Sequence, residues 1–555
     1  MASQKKESGS NFLVQGSILA MASLVSRVIG LIYRIPMTNI IGDVGNNYYA
    51  CAYDVYNVML IISSYSLPLA VSKLVSAQMA KKNRRKAYQV LKGALLFALV
   101  AGTAVALIVY FGAKFFTTTL LKTPYSIFAL RVLAPALIVV AVLGVIRGFF
   151  QGMGTMVVSA VSQIIEQIVN AIVSVWAAYV LYQYGMKVGA VLGNADNYAA
   201  AYGAAGGTLG TNLGSVAALI FVLIVFMVYM RSFRRHMNKS RNVKVDPFWY
   251  TLKILVITII PVLLSTTIYN ISGIVDQAIF KNIALLQGAT EADIDVWWGV
   301  FSGKYKLMIN VPISIASAMA SSSVPALTRS FGQGDMDAVR SEIGSASRFI
   351  MIIAFPCAVG LTVLSDPIFR VLFPSTASTA PLANQMMLVG SIAVVFYSLS
   401  TLSNGLLQGI NRLKIPVMNA AIALVAHVIL LVLLMLIFRM KILAVVISST
   451  VFALLMCILN GIAIAKHSGY KQEIKKTFLI PAICSVIMGI ITWLVYKGIY
   501  TLSEHMLVSM CVAIVIAVIV YAMLLLLFHE LSEDELRRFP KGDLIVRIVK
   551  KLHLM

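Results

Sequence analysis

Apolar residues recur in long stretches with few interruptions, and the polar residues gather between them. About 20 apolar residues is the length at which a helix crosses the hydrocarbon layer of a bilayer. Stretches of that length lie near 12–41, 47–80, 87–113, 124–151, 155–184, 205–231, 247–280, 297–325, 342–364, 383–409, 415–437, 442–465, 477–499 and 506–529. They predict fourteen transmembrane helices and an all-α, polytopic membrane protein. The first stretch, entered directly from the polar N-terminal residues, is too long for a cleaved secretory signal, so it reads as a retained helix.

The pattern also repeats. Gly148-Phe149-Phe150-Gln151-Gly152 recurs as Gly405-Leu406-Leu407-Gln408-Gly409, 257 residues further on. Ser23, Arg27, Gly30 and Arg34 are spaced 4, 3, 4 and share one helical face. Ser265, Tyr269, Ser272 and Asp276 repeat that spacing with an offset of 242, and Pro68 matches Pro312 with an offset of 244. Each match joins helix n to helix n+6. The expected organisation is an N-terminal lobe (1–231, helices 1–6), a basic loop (232–246) and a C-terminal lobe (247–465, helices 7–12). Two further helices (466–529) and a basic tail (530–555) follow. Two parallel repeats about an axis along the membrane normal are a transporter plan, with the substrate site between the lobes.

Composition excludes other classes. Of 555 residues, 60% are apolar and only 12% charged, far from the balance of a soluble enzyme or a nucleic-acid module. The net charge is +24. Of the loop cations, 29 fall on the side of the two termini and 8 on the other. The positive-inside rule then puts both termini in the cytoplasm of a bacterial-type plasma membrane. The five Cys have no metal-binding spacing and read as small buried hydrophobes. No Walker, HExxH or GxSxG sequence is present, so an enzyme is not expected and transport must run on a gradient, the membrane potential or substrate concentration.

Eight cations remain in or beside the spans: Arg27, Arg34, Lys73, Arg131, Arg147, Lys253, Lys304 and Lys306. The acids there are only Asp54, Glu166 and Asp276. Charges at that depth usually face the bundle interior or a wet cavity. Lys253 and Arg131 are close enough to span ends to snorkel. Arg27 lies mid-helix, one turn from Ser23 and two from Arg34. Either it locks helices together through Asp54 or Glu166, or it forms part of an anion-binding face. Eight bases cannot all pair with three acids, and arginine suits phosphate because its fork binds two oxygens. Polar stripes on the second helix (Tyr49, Tyr53, Asp54, Tyr56, Asn57), the fifth (Gln163, Glu166, Gln167, Asn170, Ser174) and the eighth (Lys306, Asn310, Ser314, Ser317, Ser321) suit a sugar-lined cavity or interhelical packing equally well. His427 reads as an interhelical donor.

At Ser26-Arg27-Val28-Ile29-Gly30-Leu31-Ile32-Tyr33-Arg34 the chain resembles the MurJ-type lipid II flippases and their sporulation and oligosaccharide-flippase relatives. These belong to the multidrug/oligosaccharidyl-lipid/polysaccharide exporter superfamily. The segment Pro68–Lys73, the paired Gln-Gly turns and the helix count agree with it. The resemblance implies two six-helix lobes around a cationic cavity, alternating access, and a groove on the last two helices for a polyprenyl tail. It matches Arg27 to the first-helix arginine, puts Arg34 near the end of that motif, and puts the eighth-helix cation at Lys304 or Lys306. Lysines and Asn310 before Pro312, and Tyr33, depart from the pattern. The implied substrate is a lipid-linked oligosaccharide, lipid II or another undecaprenyl-pyrophosphate glycan, moved without cofactor or nucleic acid among membrane lipids. Na⁺ or H⁺ at Asp54, Glu166 or Asp276 would add coupling. The alternative is a cation-coupled multidrug exporter of the same superfamily, which predicts twelve helices and an acidic cavity.

Overall fold

The computed structural model describes residues 18–528, apart from 20, 82, 239–248 and most positions from 251 to 269. Every regular element among the described residues is helical. The chain forms two compact units, Met1–Lys304 with Ala420–Val445, and Tyr305–Asn419 with Val446–Met555.

The first unit opens with α1 (Met21–Ile32) and α2 (Arg34–Leu60). There follow α3 (Leu67–Ala80), α4 (Arg84–Lys114), α5 (Ile127–Leu133), α6 (Ala136–Gly152), α7 (Val157–Leu192), α8 (Ala195–Asn238), α9 (Ser272–Leu286) and α10 (Glu291–Val300). Local sequence sets the ends. Asn83 caps α4 by accepting from the Lys86 amide at 3.3 Å, and Thr290 caps α10 through the Asp293 amide at 3.1 Å. The core is built from small and aliphatic residues that let helices approach closely. Val55, Leu130, Leu133, Leu137 and Ala204 are fully buried between α2, α5, α6 and α8. Phe149 and Phe233 meet edge to face at 5.7 Å where α6 crosses α8.

The second unit holds α11 (Lys306–Gly332), α12 (Met336–Val363), α13 (Ser365–Leu372), α14 (Ala380–Gly390) and α15 (Ala393–Gly409). Next come α16 (Lys414–Leu436) and α17 (Ile442–Ser468), each divided between the units, then α18 (Ile480–Ser503) and α19 (Met506–Leu527). Tyr521 on α19 donates to the Ile352 carbonyl of α12 at 2.9 Å, while Cys484 and Met488 fill the space beneath. Other faces of α18 and α19 expose Ile490, Trp493, Val515 and Val518, the all-round apolar surface expected against lipid.

Ten helical stretches among the described residues are long and apolar enough to cross a bilayer, or eleven if the pair bent by 55° at residues 391–392 forms one span. One of the ten, Arg34–Ala80, reverses within itself. Gly42 stands at φ 71°, ψ −178°, a combination open essentially to glycine alone. A straight helix would hold Arg34 and Tyr49 about 22 Å apart, yet the Arg34 guanidinium lies 5.5 Å from the Tyr49 ring. Gly42 falls in the gap anticipated between the first two spans. Part of the span expected at 247–280 lies outside the described residues, as do Ser265, Tyr269 and the basic tail.

Each unit uses its Gln-Gly helix in a similar way. In the first, Gly148 and Gly152 of α6 sit against Pro68 and Val75 of α3. In the second, Gly405 and Gly409 of α15 sit against Ala320 and Leu327 of α11. The compact units nevertheless divide the chain later than the repeat does, because α9 and α10 pack onto α2. A Cβ on Gly299 of α10 would stand 1.8 Å from the Asp43 carbonyl oxygen, so only glycine allows that approach.

Candidate functional site

The reversal at Gly42 lays the first turns of α2 against its later ones. Arg34 is thereby set between Tyr49 and Tyr53, with its guanidinium carbon 5.5 Å and 5.7 Å from their centroids. Those rings are stacked at 5.4 Å and 15°, and Tyr53 leads on to Tyr56 at 5.7 Å. Aromatic faces hold a guanidinium by on the order of 0.5–2 kcal/mol, and they orient its charge without neutralising it. Arg34 is half-buried and has no carboxylate partner among the described residues.

The polar face of α1 runs along α7. Ser23 donates to Gln163 at 3.1 Å, and the Asn170 amide donates to the Tyr33 hydroxyl at 3.4 Å. Arg27 lies between these contacts, exposed, and also has no carboxylate partner among the described residues. Glu166 is taken by another base. The Arg147 Nη2 donates to Glu166 Oε2 at 2.8 Å, and Arg147 Nε donates to Ser162 at 2.8 Å. Ser174, in the same α7 stripe, donates to Asn170 at 2.9 Å and to the Gly207 carbonyl at 2.8 Å, which ties α7 to α8.

The other candidates scatter. Asp276 on α9 is bonded to His427 on α16, both buried. Asp54 is half-buried, with Oδ1 3.7 Å from where a Cβ on Gly273 would stand. Lys304 is fully buried, with Nζ 3.1 Å from each oxygen of Asp43, so its charge is answered within the protein. Lys306 is half-buried and Asn310 exposed on α11, in the second unit. There Ser314 donates to the Asn310 carbonyl at 2.7 Å. Sequence reasoning missed Asp43, which sits in the turn between two spans and so was not counted among the membrane acids. The signal was the charge directly after Gly42.

A further polar group surrounds Asn47. Its Oδ1 accepts from Lys281 Nζ at 2.7 Å, and its Nδ2 donates to Asp295 Oδ1 at 2.7 Å. Lys281 also donates to Thr123. Asp295 precedes the eighth expected span. Burial pushes its carboxyl up to about 6, and Glu291 adds to that. The Lys281 charge and hydrogen bonds from Tyr48 and Asn47 pull the other way.

Stacked transmembrane-length helices with arginines and carboxylates held inside define a multi-pass membrane protein of transporter type. Its fold is that of the multidrug/oligosaccharidyl-lipid/polysaccharide exporter superfamily: a solved structure, lipid II flippase MurJ in its inward closed conformation, matches with a TM-score of 0.66 at 14% identity, covering 92% of this chain and 98% of that one. The chain belongs to the polysaccharide biosynthesis protein family, whose profile matches residues 13–331. A MatE profile matches residues 307–433. Among curated relatives, lipid II flippase MurJ of Bacillus subtilis (strain 168) is 25% identical over 493 residues, 87% of this chain and 88% of that protein. Stage V sporulation protein B of the same organism is 23% identical over 543 residues, 97% of this chain and 99% of the relative.

Proposed function

We propose that the protein is a flippase that carries an undecaprenyl-pyrophosphate-linked glycan, lipid II foremost, from the cytoplasmic to the outer leaflet by alternating access. The observation that carries this reading is the pair Arg27 and Arg34. Arg27, exposed on α1, and Arg34, half-buried at the start of α2, lie seven residues apart, and no carboxylate pairs with either among the described residues. A pyrophosphate offers the two-oxygen acceptors that such arginines lack within the protein. Half-buried Tyr53 beside Arg34 and the half-buried amides Gln163 and Gln167 of α7 offer a flat and a hydrogen-bonding surface to a sugar. In this reading the protein lies in a bacterial plasma membrane with both termini in the cytoplasm.

The MatE match over 307–433 favours a second reading, a cation-coupled multidrug exporter. Unpaired arginines repel cationic drugs, which weighs against it. Complementation separates the two. Expression in a strain depleted of its lipid II flippase restores growth if the flippase reading holds, and Arg34→Ala removes that rescue. Drug resistance conferred without rescue supports the exporter.

A further inference from the structure

The first unit gathers cations where the start of α4 meets the end of α8. The first turn of α4 holds Arg84, Arg85 and Lys86 and no acid, at the helix end where the peptide dipoles are already positive. The fold sets α8 beside it. Arg84 lies 5.9 Å from the centre of the Phe233 ring of α8, and Arg234 Nη2 of α8 donates to the Tyr88 hydroxyl of α4 at 3.4 Å. Lys92, one turn further along α4, stands 4.9 Å from the centre of the same Tyr88 ring. Two cations from different helices thus share one tyrosine. No carboxylate pairs with Arg84, Lys92 or Arg234 among the described residues.

Like charges brought together repel, and aromatic rings orient them without cancelling their charge. A bound anion would relieve that repulsion, and the helix faces indicate its kind. On α4, Lys92 ends a stripe with Leu96 and Val100, each four residues apart. On α8, Arg231 and Arg234 end a stripe with Ile224 and Met227, spaced 3, 4, 3. All of these side chains are exposed. Each stripe passes from apolar side chains that suit acyl chains to cations that suit a head group. We propose that this end of α4 and α8 is a binding site for an anionic phospholipid. Lys92 and Arg234, with Arg84 beside them, hold its phosphate, and its chains follow the two stripes. A soluble phosphate would meet the cations and leave the apolar stripes unused. The site does not depend on what the protein transports.

The test is the melting temperature of the purified full chain in neutral detergent, titrated with short-chain phosphatidylglycerol, with phosphatidylcholine of the same chains, or with inorganic phosphate. Phosphatidylglycerol should raise it and the other two should not. In Lys92→Gln/Arg234→Gln the midpoint of the phosphatidylglycerol response should move to a concentration at least about tenfold higher. Without lipid, that variant should melt no lower than the wild type, because two repelling charges are gone. Each single substitution should give part of the shift, so a double variant that fails to fold leaves the test in place. Lys114→Gln/Lys187→Gln removes as much exposed charge elsewhere in the unit and should leave the response unchanged. An undiminished response in the Lys92 and Arg234 variants would make these cations mere pins between α4 and α8 and overturn the proposal. So would an equal loss in the control, or a response reproduced by phosphatidylcholine or by phosphate alone.

Discussion

Arg34 and Arg147 are both arginines on helices of the first unit, and their partners set them apart. Arg34 rests on tyrosine rings, so Arg34→Ala should lower stability by only about 1 kcal/mol while transport is lost. Arg147→Ala strands Glu166, which is about one-fifth exposed, and should lower stability by about 3 kcal/mol. Chemical denaturation of the purified variants, set beside their transport rates, distinguishes the two. The 4, 3, 4 spacing singled out Arg27 and Arg34 together; in the structure Arg27 is exposed on α1 and Arg34, half-buried, opens α2. The tyrosine wall around Arg34 was not legible in the sequence, because rings 15 and 19 residues away reach it only through the reversal at Gly42. Asp295 gives a pH-dependent prediction. Its carboxyl rises from the ordinary 3.8 to about 6 on folding, so the folded state binds more protons than the unfolded one between those values. Stability should therefore fall as pH rises from about 4 to about 6. Asp295→Asn should flatten that slope in melting temperature against pH, with Lys281, Glu291 and Tyr48 unchanged around it.

At the scale of helices, the apolar runs located most elements, since length and continuity are what a bilayer demands. What they left out is how the helices meet. The contact of α10 with α2 depends on Gly299, whose hydrogen is all that fits beside the Asp43 carbonyl, and nothing in a hydrophobic pattern marks such a glycine. Gly299→Ala should force α10 off α2, weaken the Lys304–Asp43 pair and lower the melting temperature sharply. Gly42→Ala should cost on the order of 1–3 kcal/mol from backbone strain alone, with open space around the added methyl. Differential scanning fluorimetry on both variants tests the pair. Equal, negligible shifts would mean that the reversal and the close approach are dispensable.

For the whole molecule, the proposed cycle carries a cationic site with no nucleotide to drive its return. Moving one charge through a 100 mV potential is worth about 2.3 kcal/mol, so an inside-negative potential should draw the empty carrier back and speed turnover. Pyrophosphate bound at Arg27 and Arg34 should cancel most of that sensitivity in the loaded form. Vesicles with a potential imposed by K⁺ and valinomycin, at fixed pH and Na⁺, should flip faster than depolarised ones; equal rates would leave an ion-coupled or downhill cycle. The repeat at the Gln-Gly helices was readable because small residues at a helix crossing tolerate little change. The packing of α9 and α10 onto α2 was hidden, since it rests on contacts more than 200 residues apart in sequence. The most direct test of the central claim is the initial rate of lipid II translocation in proteoliposomes holding the wild type, Arg34→Ala or Arg34→Lys at equal folded protein. The account predicts translocation by the wild type, a loss of about a hundredfold in Arg34→Ala, as removal of a charge-assisted phosphate contact worth about 3 kcal/mol would give, and partial activity in Arg34→Lys. Wild-type rates in Arg34→Ala would contradict it.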